Sequence, residues 1–169
     1  MKRPRSLCLI VLSLLVMIAG GLVGGESPAV AVVSIASSNT TTVPYSGTVH
    51  GQPEDVYLSG LVQISTVVVR DPDFGKPPTV IVSIDFSNVT GQGLRTGMKY
   101  IAGGNQVLIR PLVNSDVVKV IFPFYPRGTN GTSGARSALA SFTLTYDTTT
   151  GTSTGISASP TADASLPAQ

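Results

Sequence analysis

Three residue types that can build a nucleophilic triad occur in this chain: His50, its only histidine, together with Ser59 and Asp85. Their chemistry would be acyl transfer, with histidine as the proton relay between hydroxyl and carboxylate. No Gly-x-Ser-x-Gly elbow is expected to present such a serine, and a composition of this kind can always supply three such residues. His50, next to Gly51, therefore reads as a surface residue near a turn.

Asp71 and Asp73 pose a different question. In Asp71-Pro72-Asp73-Phe74-Gly75 two carboxylates stand two apart ahead of a turn glycine, which suits a hard cation such as calcium, and Glu54, Asp55 or Asp116 would add oxygens from other loops. The full calcium-loop spacing is missing. A plain turn opened by Asp71, with Pro72 in its second place and Arg70 and Lys76 neutralising the acids, accounts for the same letters. Zinc-type chemistry is excluded more firmly, since the chain has one His and one Cys, Cys8, which sits in the N-terminal apolar run.

Gly91-Gln92-Gly93-Leu94-Arg95-Thr96-Gly97 places its third glycine one position too late for a dinucleotide loop and leads toward strand-like residues. Glycines at positive φ in a hairpin or bulge explain it better. Phe122-Pro123-Phe124-Tyr125-Pro126-Arg127 is the densest aromatic cluster and runs straight into a Gly, Ser and Thr loop. Phe122 and Phe124 share a face and are assigned to the core. Tyr125 and Arg127 fall on the other face and are the candidate partner-binding residues, because aromatic and Arg side chains on an adaptable loop are what contact surfaces use. An edge strand guarded by prolines is the alternative.

The elements that must position these residues are strands. Period-two alternation runs through 56–65, 80–86, 118–124 and 138–146, and more weakly through 43–49, 98–102, 106–112 and 151–157. Turn residues separate them: Gln52-Pro53-Glu54-Asp55, 71–78, Gly91-Gln92-Gly93, Gly103-Gly104-Asn105, Asn114-Ser115-Asp116, 128–134 and 148–151. About eight short antiparallel strands predict an all-β fold. The expected form is a single antiparallel β-sandwich of immunoglobulin-like architecture, with a small β-barrel as second choice.

The N-terminus carries an address. Lys2, Arg3 and Arg5 precede an apolar stretch from Leu7 to Val23, and Ala29-Val30-Ala31 has the small residues of a cleavage site. A signal peptide over 1–31, cut after Ala31, is expected; an uncleaved anchor is the alternative, and would be the one membrane contact. Residues 32–42 read as a flexible leader, 43–157 as the sandwich domain, and 158–169, rich in Ser, Ala, Pro and Thr, as a disordered tail. The mature chain would lack cysteine, hold equal numbers of basic and acidic residues, and reside in the bacterial periplasm or outside the cell. Its cations are scattered singly, so nucleic acid is not an expected partner.

The reading is an exported, non-catalytic envelope or extracellular module, binding or structural, with an unknown protein or glycan partner and no required cofactor. Two other readings stand beside it. One is a secreted glycan-directed hydrolase whose carboxylates, drawn from Glu54, Asp71, Asp73 and Asp85, are assembled by loops; the other is a calcium-braced adhesive module.

Overall fold

Alternating burial runs along most of the strands. The computed structural model describes residues 34–70, 77–128 and 134–159, and among them every regular element is a strand. These are β1 (Ser34–Val49), β2 (Val56–Arg70), β3 (Thr79–Asp85), β4 (Val89–Gly93), β5 (Lys99–Ala102), β6 (Asn105–Pro111), β7 (Ser115–Pro126), β8 (Arg136–Asp147) and β9 (Thr152–Ser159). They form one antiparallel sheet in the order β6-β3-β2-β4-β5-β7-β8-β9, with β1 alongside β2, folded over into a sandwich-like arrangement that does not close into a barrel.

β2 holds the two halves together. One of its edges pairs with β1 along its length; the other pairs with β4 over Val56–Gly60 and with β3 over Gln63–Val69. Gly60 marks the change of partner. A Cβ there would press on the backbone of Asn88 and Val89, where the chain passes from β3 to β4. Glycine is thus required by close backbone approach.

The even residues of β2, β3, β7 and β8 point inward and make the core. Val62, Ile64, Val80, Val82 and Ile84 face Val120, Phe122, Ala140, Phe142 and Leu144 in one buried cluster. At its centre Phe86 and Phe122 stack with centroids 4.0 Å apart, and Tyr45 meets both rings edge-on at 6.5 and 5.8 Å. Interlocking aromatics of this kind bury large apolar area and fix relative orientation.

Three expectations are corrected. The leader over 32–42 is largely strand: Ser34–Thr42 form the first half of β1, paired with Gln63–Arg70, and Thr40 bonds Ser65 across the pair at 2.9 Å. The backbone groups along this edge of β2 need partners, and a Thr-rich segment suits an extended chain, so polar composition alone misled. The glycine-rich 91–93 segment belongs to strand β4, which brings the strands among the described residues to nine rather than eight. Gly91 is there because a Cβ would meet Leu58 and Val56, and only Gly97 of that set has positive φ, 73°. β9 continues to Ser159, so the first two residues of the expected 158–169 tail are strand. The signal segment over 1–31, the acidic pair Asp71 and Asp73, and residues 160–169 lie outside the described residues.

Candidate functional site

One end of the sheet gathers most of the chemistry. There β1 and β7 finish, β2 and β8 begin, and β4 turns into β5. The 50–55 connection contains Gly51 at φ 136° and a cis Gln52–Pro53 bond. His50 Nδ1 lies 2.7 Å from Asp55 Oδ2, and the Gly51 N–H donates to Asp55 Oδ1 at 3.1 Å. The bond from His50 is the main cause that holds the Asp55 carboxyl below its ordinary range.

The Glu54 side chain is buried, and its carboxylate is fully occupied. It accepts from the Thr96 hydroxyl at 2.6 Å, the Thr96 N–H at 2.8 Å, the Arg95 N–H at 3.0 Å and the Tyr100 hydroxyl at 3.4 Å. The Thr96 hydroxyl does most to keep its pKa low. Gly93 makes room for this carboxylate, since a Cβ at that position would run into it. Arg136 closes the cluster from β8, donating to the backbone carbonyls of Glu54 at 2.6 Å and His50 at 3.2 Å, with its guanidinium 5.2 Å from the centre of the Phe124 ring.

Other cations of this end face outward. Arg95 Nη2 donates to the Pro53 carbonyl at 3.1 Å and Lys99 Nζ to the Gln92 side chain at 3.0 Å, both neutral acceptors. The Arg127 N–H donates to the Lys99 carbonyl at 2.8 Å, which sets the exposed Arg127 beside Lys99. Pairing places Tyr57, Gln92 and Lys99 in one row on the outer face of the sheet, and Ser59, Thr90, Ile101 and Tyr125 in the next. Leu94, 62% exposed, and Met98, 48% exposed, stand at the β4–β5 turn. An open depression of about 580 Å³ is lined by Gly51 to Asp55, Leu94 and Arg95.

The structure sorts the sequence candidates. Arg127 is exposed; Tyr125 is half-buried, its hydroxyl lying over Gly103 so that a Cβ on that glycine would collide with it. His50 is engaged by Asp55, not by Asp85, which instead accepts from the Ser87 N–H and hydroxyl at 2.9 and 3.1 Å. Ser59 lies on the outer sheet row, between Ser46 and Thr90. The letters Gly-x-Ser-x-Gly do occur at Gly151–Gly155, but in a β8–β9 hairpin whose Ser153 pairs with Tyr146, at the opposite end of the sheet from His50. Of the carboxylates expected to help Asp71 and Asp73 hold calcium, Glu54 and Asp55 are engaged as described. Asp116 takes a two-pronged bond from Arg110 at 2.7 and 2.8 Å, which lowers its pKa.

Sequence reasoning missed the Glu54–Thr96 cluster and the outward set Leu94, Arg95, Met98 and Lys99. Apolar residues placed in a Gly-bounded turn, where no core can reach them, were the available signal. No protein-family model, curated protein or solved structure matches the chain.

Proposed function

We propose that this chain is an exported, non-catalytic binding module of the cell envelope that offers the Leu94–Lys99 turn, with Arg127 beside it, to an anionic partner. The observation that carries the reading is the sorting of charge at this end. The Glu54 carboxylate is occupied by Thr96, Arg95 and Tyr100, and that of Asp55 by His50 and Gly51, whereas Arg95 and Lys99 donate to neutral acceptors and remain solvent-exposed beside Leu94 and Met98. Cations whose charge is not cancelled by nearby acids attract anions, and apolar neighbours add contact area. Export rests on the charged-then-apolar N-terminus and its Ala29-Val30-Ala31 site.

The test uses dextran sulfate as an anionic probe and uncharged dextran as control. The full chain is expected to elute from dextran sulfate at clearly higher salt than a triple Arg95→Ser, Lys99→Ser, Arg127→Ser variant. Equal elution of the two would overturn the assignment. N-terminal sequencing of the exported protein should begin at Val32, and an intact Met1 would remove the export claim.

A further inference from the structure

At the other extreme of the sheet order, β6 pairs only with β3 among the described residues, which leave its second edge open. Hydrogen-bond parity fixes which groups that edge presents. The Phe86 N–H donates to the Gly104 carbonyl at one end of the β3–β6 ladder, and the Leu112 N–H to the Pro78 carbonyl at the other. Bonded and non-bonded pairs alternate in an antiparallel ladder. The even residues Gln106, Leu108 and Arg110 are therefore tied to β3, while Asn105, Val107 and Ile109 turn their N–H and C=O groups away from it, as does the Pro111 carbonyl.

Of the usual edge guards, this strand carries a single charge, Arg110, and a proline at its last residue, Pro111. It has no lysine, no bulge, and no proline before its last residue. Val107 is 60% exposed and Ile109 73% exposed on the outer face. Ile109 continues a row that runs through Ile81 to Val67. The far side of the sheet is arranged differently, because β9 lies beside β1 and the Ser37 hydroxyl bonds the Gly151 carbonyl.

We infer that β6 docks against β6 of a second copy of this chain, antiparallel, about a two-fold axis through Leu108. This register sets the outward-bonding residues opposite one another: Val107 faces Ile109 of the second copy twice, burying both against each other on the outer face. Asn105 faces Pro111. The charges are also compatible, since Arg110 meets Gln106 of the second copy rather than another arginine, and is itself neutralised by Asp116. The closed symmetric pairing joins the two Val67–Ile81–Ile109 rows into one apolar strip.

Sedimentation velocity of the full chain across a concentration series should show a dimer that dissociates on dilution. Ile109→Pro removes only an outward N–H, so the β3 ladder survives while the dimer is lost. Ile109→Lys, which keeps the N–H and adds an edge charge, gives the same loss should the proline variant unfold. In a Cys8→Ser background, Leu108→Cys should form a disulfide-linked dimer on oxidation, because residue 108 faces its own copy in a close non-hydrogen-bonded pair, and Val107→Cys should not. A monomer at every concentration, a dimer that persists in both Ile109 variants, or cross-linking through residue 107 and not 108 would overturn the inference.

Discussion

Arg136 binds the backbone of Glu54, not its carboxylate: the guanidinium donates to the Glu54 carbonyl at 2.6 Å, and the acid goes to Thr96. These two opposite charges are thus satisfied separately, and each fastens the 50–55 connection to a different neighbour. Arg136 ties the 50–55 connection to β8, while Glu54 ties it to the β4–β5 turn.

Replacing Arg136 with Lys should therefore destabilise the protein although the charge is kept. An ammonium cannot reproduce the fork that spans the Glu54 and His50 carbonyls or the stacking over Phe124. The expected loss is about 1–3 kcal/mol in urea unfolding.

The pH dependence has a definite sign. The Glu54 pKa is lowered from an ordinary 4.5 in the folded state, so its contribution is complete above that value and is lost as pH falls through the folded one. Asp55, Asp116 and Asp147 are lowered too and act in the same direction. Thermal midpoints should hold steady from neutrality to about pH 5 and then fall. In Glu54→Gln the midpoint at neutral pH should be lower and the acid fall shallower.

Tyr146 gives the opposite case. Its ring is buried, its hydroxyl has no hydrogen-bond partner among the described residues, and burial pushes its pKa up to about 12. Stability from the neutral phenol is complete below the ordinary 10.0 and disappears as pH rises toward about 12. Tyr146→Phe should blunt that alkaline loss and gain about 1 kcal/mol at neutral pH by removing an orphaned hydroxyl.

In the core, Phe122→Ala should cost about 3–5 kcal/mol in chemical unfolding, since the ring stacks on Phe86 and touches Tyr45. Gly60→Ala should cost about 1–3 kcal/mol by forcing a methyl group onto the Asn88 backbone.

How far these features could be read from the sequence depends on where the information lies. Val80-Val82-Ile84-Phe86 and Val118-Val120-Phe122-Phe124 declare their faces, because one side of each strand is buried and period two records that directly. β1 could not be read this way. Its first half is held by backbone pairing with β2, which does not depend on side-chain hydrophobicity, so Ser37 to Thr42 look like a linker. β4 escaped for a related reason: Gly91 and Gly93 are small because Leu58 and Glu54 crowd them, and crowding by residues distant in sequence leaves no local trace. The Glu54–Thr96 bond spans a similar gap. Arg127 was legible because an arginine following an aromatic strand must emerge at its end.

The arrangement of the first and last strands has a mechanical meaning. β8 starts beside the end of β1, and the turn before β9 touches Ser37 near the start of β1, so β1 and β9 run the same way side by side. A pull between Ser34 and Ser159 therefore acts along the strand axes, dragging β1 lengthwise against β2. The rungs from Ile35 to Val49 would share that load and resist together, rather than opening one at a time like a zip. Strands loaded lengthwise part only when many backbone bonds give way at once, so this pairing is mechanically stiffer along its axis than across it.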